Sequence, residues 1–171
     1  KILRAVSGIY IDIIRGTPTM VQLLIIYFVI FANVHIDKWV VGFIAFGINS
    51  GAYIAEIVRG GILSVNIGQT EAGRSLGMTH KQTMASIVMP QAMKNILPAL
   101  GNEFIVLIKE TSVAGVIAVT DLTKAAQYIG STDFIVLPPL FVAAGCYLVI
   151  VLGLTKLQSL LERRLSQGDR H

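Results

Sequence analysis

Asn49, Tyr53 and Glu56 stand at i, i+4 and i+7 inside an apolar run, so a helix through them puts all three on one face. A second apolar stretch, residues 97–119, holds Glu103 and Glu110 seven residues apart on one face, with Thr111 and Ser112 following; Asn102 and Lys109 share the neighbouring face. Carboxylates and an ammonium in an apolar helix are costly unless they meet partners, water or a charged ligand. The chemistry they suit is therefore the passage of a charged or zwitterionic solute. An amino acid offers both signs at once. Three acidic side chains against one lysine lean towards a cationic or zwitterionic amino acid over an anionic one. Two other readings stand beside this one. Glu56 can sit at an interfacial end beside Arg59, with Tyr53 merely packing; and Lys109, Glu103 and Glu56 can neutralise one another and hold helices together without touching a solute.

Covalent chemistry finds no residues to carry it. The sequence has no G-x-x-x-x-G-K-[ST] phosphate cradle, no H-E-x-x-H and no nucleophile elbow. His35, His80 and His171 are scattered, and Cys146 is the single cysteine, so neither a metal cage nor an internal disulfide is expected. The reading is a transport subunit and not an enzyme, with no cofactor bound by this chain.

The elements that must position these residues follow from composition. Of 171 residues, 54% are hydrophobic and only 14% charged, with a mean hydropathy of +0.70. Soluble domains carry roughly 25% charged residues, so most of this surface faces lipid, which excludes a water-soluble enzyme or a disordered tail. The net charge of +4 is dispersed and forms no basic stripe for nucleic acid. Runs without Asp, Glu, Lys or Arg cover Gly16 to Ile36, Trp39 to Ala55 and Phe134 to Thr155, each near the length of a spanning helix; the second continues to Val58. Leu97 to Val119 is counted as a fourth span because the charges then sort. Residues 1–17, the link from Arg59 to Lys94 and the tail from Lys156 are net positive; the opposite side holds Asp37, Lys38, Asp121, Lys124 and Asp133. Positive segments stay inside, which makes the link and the C-terminus cytoplasmic. Trp39 reads as an outer interfacial anchor, and Gly47, Gly51 and Ala55 form a stripe on which another helix can pack closely. The fold class expected is all-α, a polytopic transmembrane helical bundle. It comprises one membrane domain over residues 1–171, N-terminally incomplete because the chain starts at Lys1 in what reads as a cytoplasmic loop, with an insertion over 59–98.

That insertion is punctuated. Thr70 can cap a short helix beginning at Glu71-Ala72, Gly77 can stop it, and Thr79 with Gln82 makes a T-x-x-Q capping box for a second helix that ends near Pro90. Within it, Glu71-Ala72-Gly73, three residues, Gly77, nine residues and Ile87-Val88-Met89-Pro90 resemble the EAA loop of permease subunits of ATP-binding-cassette importers. Their pattern is E-A-A, three residues, G, nine residues, I-x-L-P. Gly73 stands where the third Ala is usual and Met89 where Leu is usual.

More of the chain resembles one branch, the polar amino-acid permeases of the histidine, glutamine, arginine and cystine type. The matching blocks are Arg15-Gly16-Thr17-Pro18 with Val21-Gln22, Asn49 to Arg59, Gly68-Gln69, and Lys109-Glu110-Thr111-Ser112, where the family shows K-D-T-S. The resemblance implies about five core spans, of which four are present. It implies a second permease subunit, identical or related, a cytoplasmic ATPase dimer carrying ATP and Mg, and an extracytoplasmic binding protein or fused binding domain. It further implies that Glu71, Ala72, Gly73, Arg74, Ser75, Leu76 and Gly77 form the helix that docks on the ATPase, in the bacterial-type cell membrane. An ion-driven carrier or channel, or a non-transporting scaffold, are the rival classes.

Overall fold

The structure, a computed structural model, describes residues 1–167; His171 and the charges of Asp169 and Arg170 lie outside the described residues. Among the described residues every regular element is helical, as the sequence implied. In order they are α1 (Ile2–Arg15), α2 (Thr19–Ile25) running into a π-helical turn (Ile26–Ile30), α3 (Lys38–Leu63), α4 (Ile67–Ser75), α5 (His80–Thr83) with a π-helical turn (Met84–Val88), α6 (Met89–Glu110), a 3-10 segment (Thr111–Ile117), α7 (Leu122–Thr132) and α8 (Leu137–Gln167).

Two helices, α3 and the Leu137–Arg163 part of α8, are each long and apolar enough to cross a membrane. A third crossing arises if Ile2–Arg15 and Thr19–Ile30 are one span bent by 108°. The bend replaces the straight helix expected over Gly16 to Ile36, and α1 replaces the loop expected over residues 1–17. Its cause is Pro18. Proline has no N–H to continue the ladder and disfavours helical geometry at the residue before it, so α1 ends at Arg15 with Gly16 as its C-cap and the chain turns at Thr17. At its start α3 is capped by the Asp37 carboxylate, which accepts from the Trp39 amide at 2.8 Å. α6 begins eight residues before the apolar run and gives way at Thr111 to the tighter 3-10 segment, which ends on Ala118 in a left-handed conformation, φ 59°. α7, opened by the Asp121 cap on the Lys124 amide, had no counterpart in the sequence reading.

The interior is small. Leu23 and Ile26, Val41 and Ala45, and Ala114, Ile117 and Val119 form the core cluster, so the bent span, α3 and the 3-10 segment interlock. Ile96 and Ile105 of α6 are also buried, but many large apolar side chains point outwards, Phe43 at 77%, Phe141 at 71% and Phe134 at 94% exposed. A chain surrounded by lipid and neighbouring subunits has this distribution, since apolar surface costs nothing against hydrocarbon.

Candidate functional site

The site begins at the break between α1 and α2. In an unbroken helix the Ile14 carbonyl would accept from the amide four residues on, which is Pro18 and has none. The Gln22 amide takes that place: Nε2 donates to Ile14 O at 2.7 Å, to Thr17 Oγ1 at 2.6 Å and to Thr17 O at 3.1 Å. The Thr17 hydroxyl in turn donates to Ile13 O at 2.8 Å. Two side chains thus satisfy the carbonyls that the break exposes, which is why a buried glutamine is tolerated in an apolar segment.

From there a line of hydrogen bonds crosses the bundle. Asn49, buried on α3, donates to Gln22 Oε1 at 2.9 Å and to Thr19 Oγ1 at 3.4 Å. The Thr19 hydroxyl donates to Glu110 Oε2 at 3.2 Å, at the far end of α6. Asn49 and Glu110, two of the predicted residues, are therefore connected through Thr19. Glu103 is half-buried on α6, about two turns back from Glu110 on the same face. Thr111 spends its hydroxyl on Ile108 O at 2.6 Å, and Ser112 lines a cavity of about 120 Å³ with Asp121, Thr123 and Lys124. Asn102 and Lys109 are exposed on the neighbouring face.

Glu56 stands apart from this line. It forms a two-point pair with Arg59, one hydrogen bond running from Nε at 2.9 Å and the other from Nη2, and lies 3.7 Å from Arg15 Nη1. The Arg15 guanidinium also sits over the Tyr53 ring, 5.6 Å from its centre. Mutual neutralisation of Glu56 with Lys109 is therefore not what the structure has; Glu56 and Tyr53 tie the end of α1 to α3. Tyr10 adds a hydroxyl bond to the Ile48 carbonyl, and Gly51 leaves room for that hydroxyl.

The second region is α4. Its N-cap is Asn66, whose side chain accepts from the Gly68 amide at 2.8 Å, so the helix starts at Ile67 and not under Thr70. Asn66 wins because it lies four residues further out, directly after the turn that closes α3, and extends the helix by a full turn. Gly77 ends it with φ 82°, Gly77 N bonding to Arg74 O and Met78 N to Gly73 O, a Schellman closure. The Thr79–Gln82 capping box forms as the spacing predicts. Pro90 does not end the following helix. The π-helical turn over Met84–Val88, in which Met89 N reaches back to Met84 O, widens the backbone just before the proline ring, and α6 continues.

Gly73 is buried between α4 and this turn. A Cβ there would lie 2.8 Å from Thr83 Cγ2 and 3.0 Å from Ile87 Cδ1. Glu71, Ala72, Arg74, Ser75, Leu76 and Gly77 are exposed, Leu76 at 82%. Arg74 donates to Met78 O at 2.9 Å and Ser75 to Glu71 O at 2.9 Å, which leaves Glu71 and Leu76 projecting.

Sequence reasoning gave Gln22 and Thr19 no role. Its available signal was Pro18 itself: a proline that strips a carbonyl of its partner, with a glutamine four residues later, marks a side chain standing in for backbone.

Comparison with known proteins agrees over almost the whole length. The family described as "Binding-protein-dependent transport system inner membrane component" matches residues 1–167. The chain is 44% identical over 167 residues to the L-cystine transport system permease protein TcyB of Bacillus subtilis (strain 168), covering 96% of this chain and 71% of that protein. It is 41% identical over 163 residues to the glutamine transport system permease protein GlnP of Escherichia coli (strain K12), covering 94% and 74%. A solved structure described as "Crystal structure of an amino acid ABC transporter with histidines" superposes with a TM-score of 0.88 at 49% identity, covering 94% of this chain and 75% of that one.

Proposed function

Because the chain belongs to the family of binding-protein-dependent transport system inner membrane components, we propose that it forms the path of a polar amino acid through the membrane and is driven by a separate ATPase through α4. Its relatives are permease subunits of transport systems, not enzymes. The path runs beside Asn49, Glu103 and Glu110, with Thr111 and Ser112 at its outer end; Glu56, Tyr53, Asn102 and Lys109 flank it. A carboxylate here suits the ammonium of a zwitterionic or cationic amino acid. α4 faces the cytoplasm and docks on the ATPase dimer with Glu71 and Leu76. ATP and Mg reside on that partner, and a second permease subunit and an extracytoplasmic binding protein complete the importer. Residues 1–171 act as one membrane domain, with 59–98 as its coupling insertion.

The observation that carries this reading is the part-buried connection from the buried Asn49 through Thr19 to Glu110, which spends polar groups within an apolar bundle. Reconstituting the assembled importer in vesicles and measuring ATP-driven uptake of labelled cystine, glutamine, arginine, histidine and glutamate tests it. Uptake that runs on an ion gradient without ATP would discard the ATPase; a preference for glutamate would overturn the charge argument.

A further inference from the structure

Gln22 does more than fill a gap in a ladder. Its amide has two N–H groups and finds three acceptors, all on the elbow: Thr17 Oγ1 at 2.6 Å, Ile14 O at 2.7 Å and Thr17 O at 3.1 Å. Its oxygen faces the other way and accepts from Asn49 at 2.9 Å. The orientation is forced. Turned over, the amide would set its own N–H groups against those of Asn49 and its oxygen against the Ile14 carbonyl. Gln22 is 8% and Asn49 2% exposed, so water cannot substitute for either arm.

Asn49 is fixed in consequence. With one N–H committed to Gln22, the other is aimed at Thr19 Oγ1, and a hydroxyl that accepts from Asn49 is free to donate to the Glu110 carboxylate. The direction of every donor along this line follows from the missing proton on Pro18. We propose that Gln22 is the positioning residue of the pathway: it locks the elbow at Gly16–Pro18 and, through the same amide plane, sets Asn49, Thr19 and Glu110 for the amino acid. This rests on the transport reading above and adds to it a residue that touches no solute.

A residue that only stabilised the elbow would lower the yield of assembled complex and leave the apparent affinity alone. A positioning residue changes affinity in the complexes that do assemble. The test is ATP-driven uptake of labelled glutamine and cystine by the assembled importer in vesicles, with Gln22→Met, Gln22→Asn and Gln22→Glu. Methionine keeps the volume and removes both arms; KM rises about tenfold while kcat falls less than threefold, because buried partners are left unpaired. Asparagine keeps the amide but is one methylene too short to span both arms, and it raises KM similarly; it carries the test if the methionine variant does not co-purify with the ATPase. Glutamate keeps the length and the acceptor for Asn49 but sets an oxygen against the Ile14 and Thr17 carbonyls, so it too raises KM. A KM unmoved in both Gln22→Met and Gln22→Asn would overturn the proposal. No uptake of either amino acid by the unaltered importer would instead overturn the transport reading for these solutes, and the proposal with it.

Discussion

Replacing Gly73 by alanine sets two effects of known sign against each other. Alanine is a better helix former than glycine by about 1 kcal/mol, and the position lies within α4, so local propensity alone makes the variant more stable. Packing opposes it. The new methyl would stand 2.8 Å from Thr83 Cγ2, 3.0 Å from Thr83 Oγ1 and 3.0 Å from Ile87 Cδ1. The Ile87 terminus can swing aside. Thr83 cannot: it is fully buried, β-branched, and holds its hydroxyl on Thr79 O at 3.1 Å. Overpacking of this kind costs about 1–3 kcal/mol, so it outweighs propensity and leaves a net loss of about 1 kcal/mol. Amide hydrogen exchange over residues 70–76, measured on the purified subunit in lipid discs, should then be about fivefold faster in Gly73→Ala, since opening of α4 is favoured by that amount. Adding Thr83→Ala removes the two Thr83 atoms, leaves only the movable Ile87 terminus, and should return exchange to the unaltered rate or below, a non-additivity expected of residues in contact. Slower exchange in Gly73→Ala alone would mean that glycine serves here only to soften the helix, and the close-packing argument fails.

Other consequences are simpler to state. Gly77→Val places a β-branched side chain at φ 82°, which costs at least about 1–2 kcal/mol at the helix stop, so ATP hydrolysis should continue with uptake reduced several-fold; equal coupling ratios would contradict the Schellman closure as the working geometry. Glu71→Lys reverses the one carboxylate projecting from α4 and should weaken co-purification with the ATPase while insertion into membranes is kept; normal coupling removes Glu71 from the docking surface. Glu110→Gln keeps an acceptor for Thr19 and deletes the charge, so KM for arginine uptake should rise about tenfold, the scale of one hydrogen bond to a charged group; an unchanged KM takes Glu110 out of the path.

What could be read without coordinates divides by range. Local punctuation was legible, because a cap or a stop is decided by a few neighbouring residues: the Thr79–Gln82 box and the Gly77 stop formed as their spacing implies. Thr70 was misassigned because Asn66 is an equally good cap four residues earlier, and spacing alone does not choose between them. Pro90 and Pro18 show the opposite limit. Each removes one donor, yet the chain bends by 108° at Pro18 and continues as helix through Pro90 just after a π-helical turn, since the outcome depends on whether a side chain or a shifted register takes up the missing bond. The pairing of Glu56 with Arg59 was visible as i, i+3, whereas its contact with Arg15 and the Thr19–Glu110 bond join residues 41 and 91 positions apart, beyond any periodicity.

The two candidate regions are connected by one continuous stretch of helix. From His80 the chain runs through α5, the π-helical turn and α6 to Glu110. α4 rests on its beginning, Gly73 against Thr83 and Ile87, and Thr19 bonds to its end. α6 has 22 residues and is about 33 Å long, so the part on which α4 rests and the carboxylate that Thr19 reaches lie towards opposite ends of one rod. The rod has a weak point at Pro98, which removes one bond of its ladder. There Gln158 of α8 donates to the Pro98 carbonyl at 3.0 Å and to Glu162 at 2.9 Å, and its stem fills the space beside Gly101. The Gln158 amide thus ties α8 to α6 beside the proline that leaves the α6 ladder one bond short.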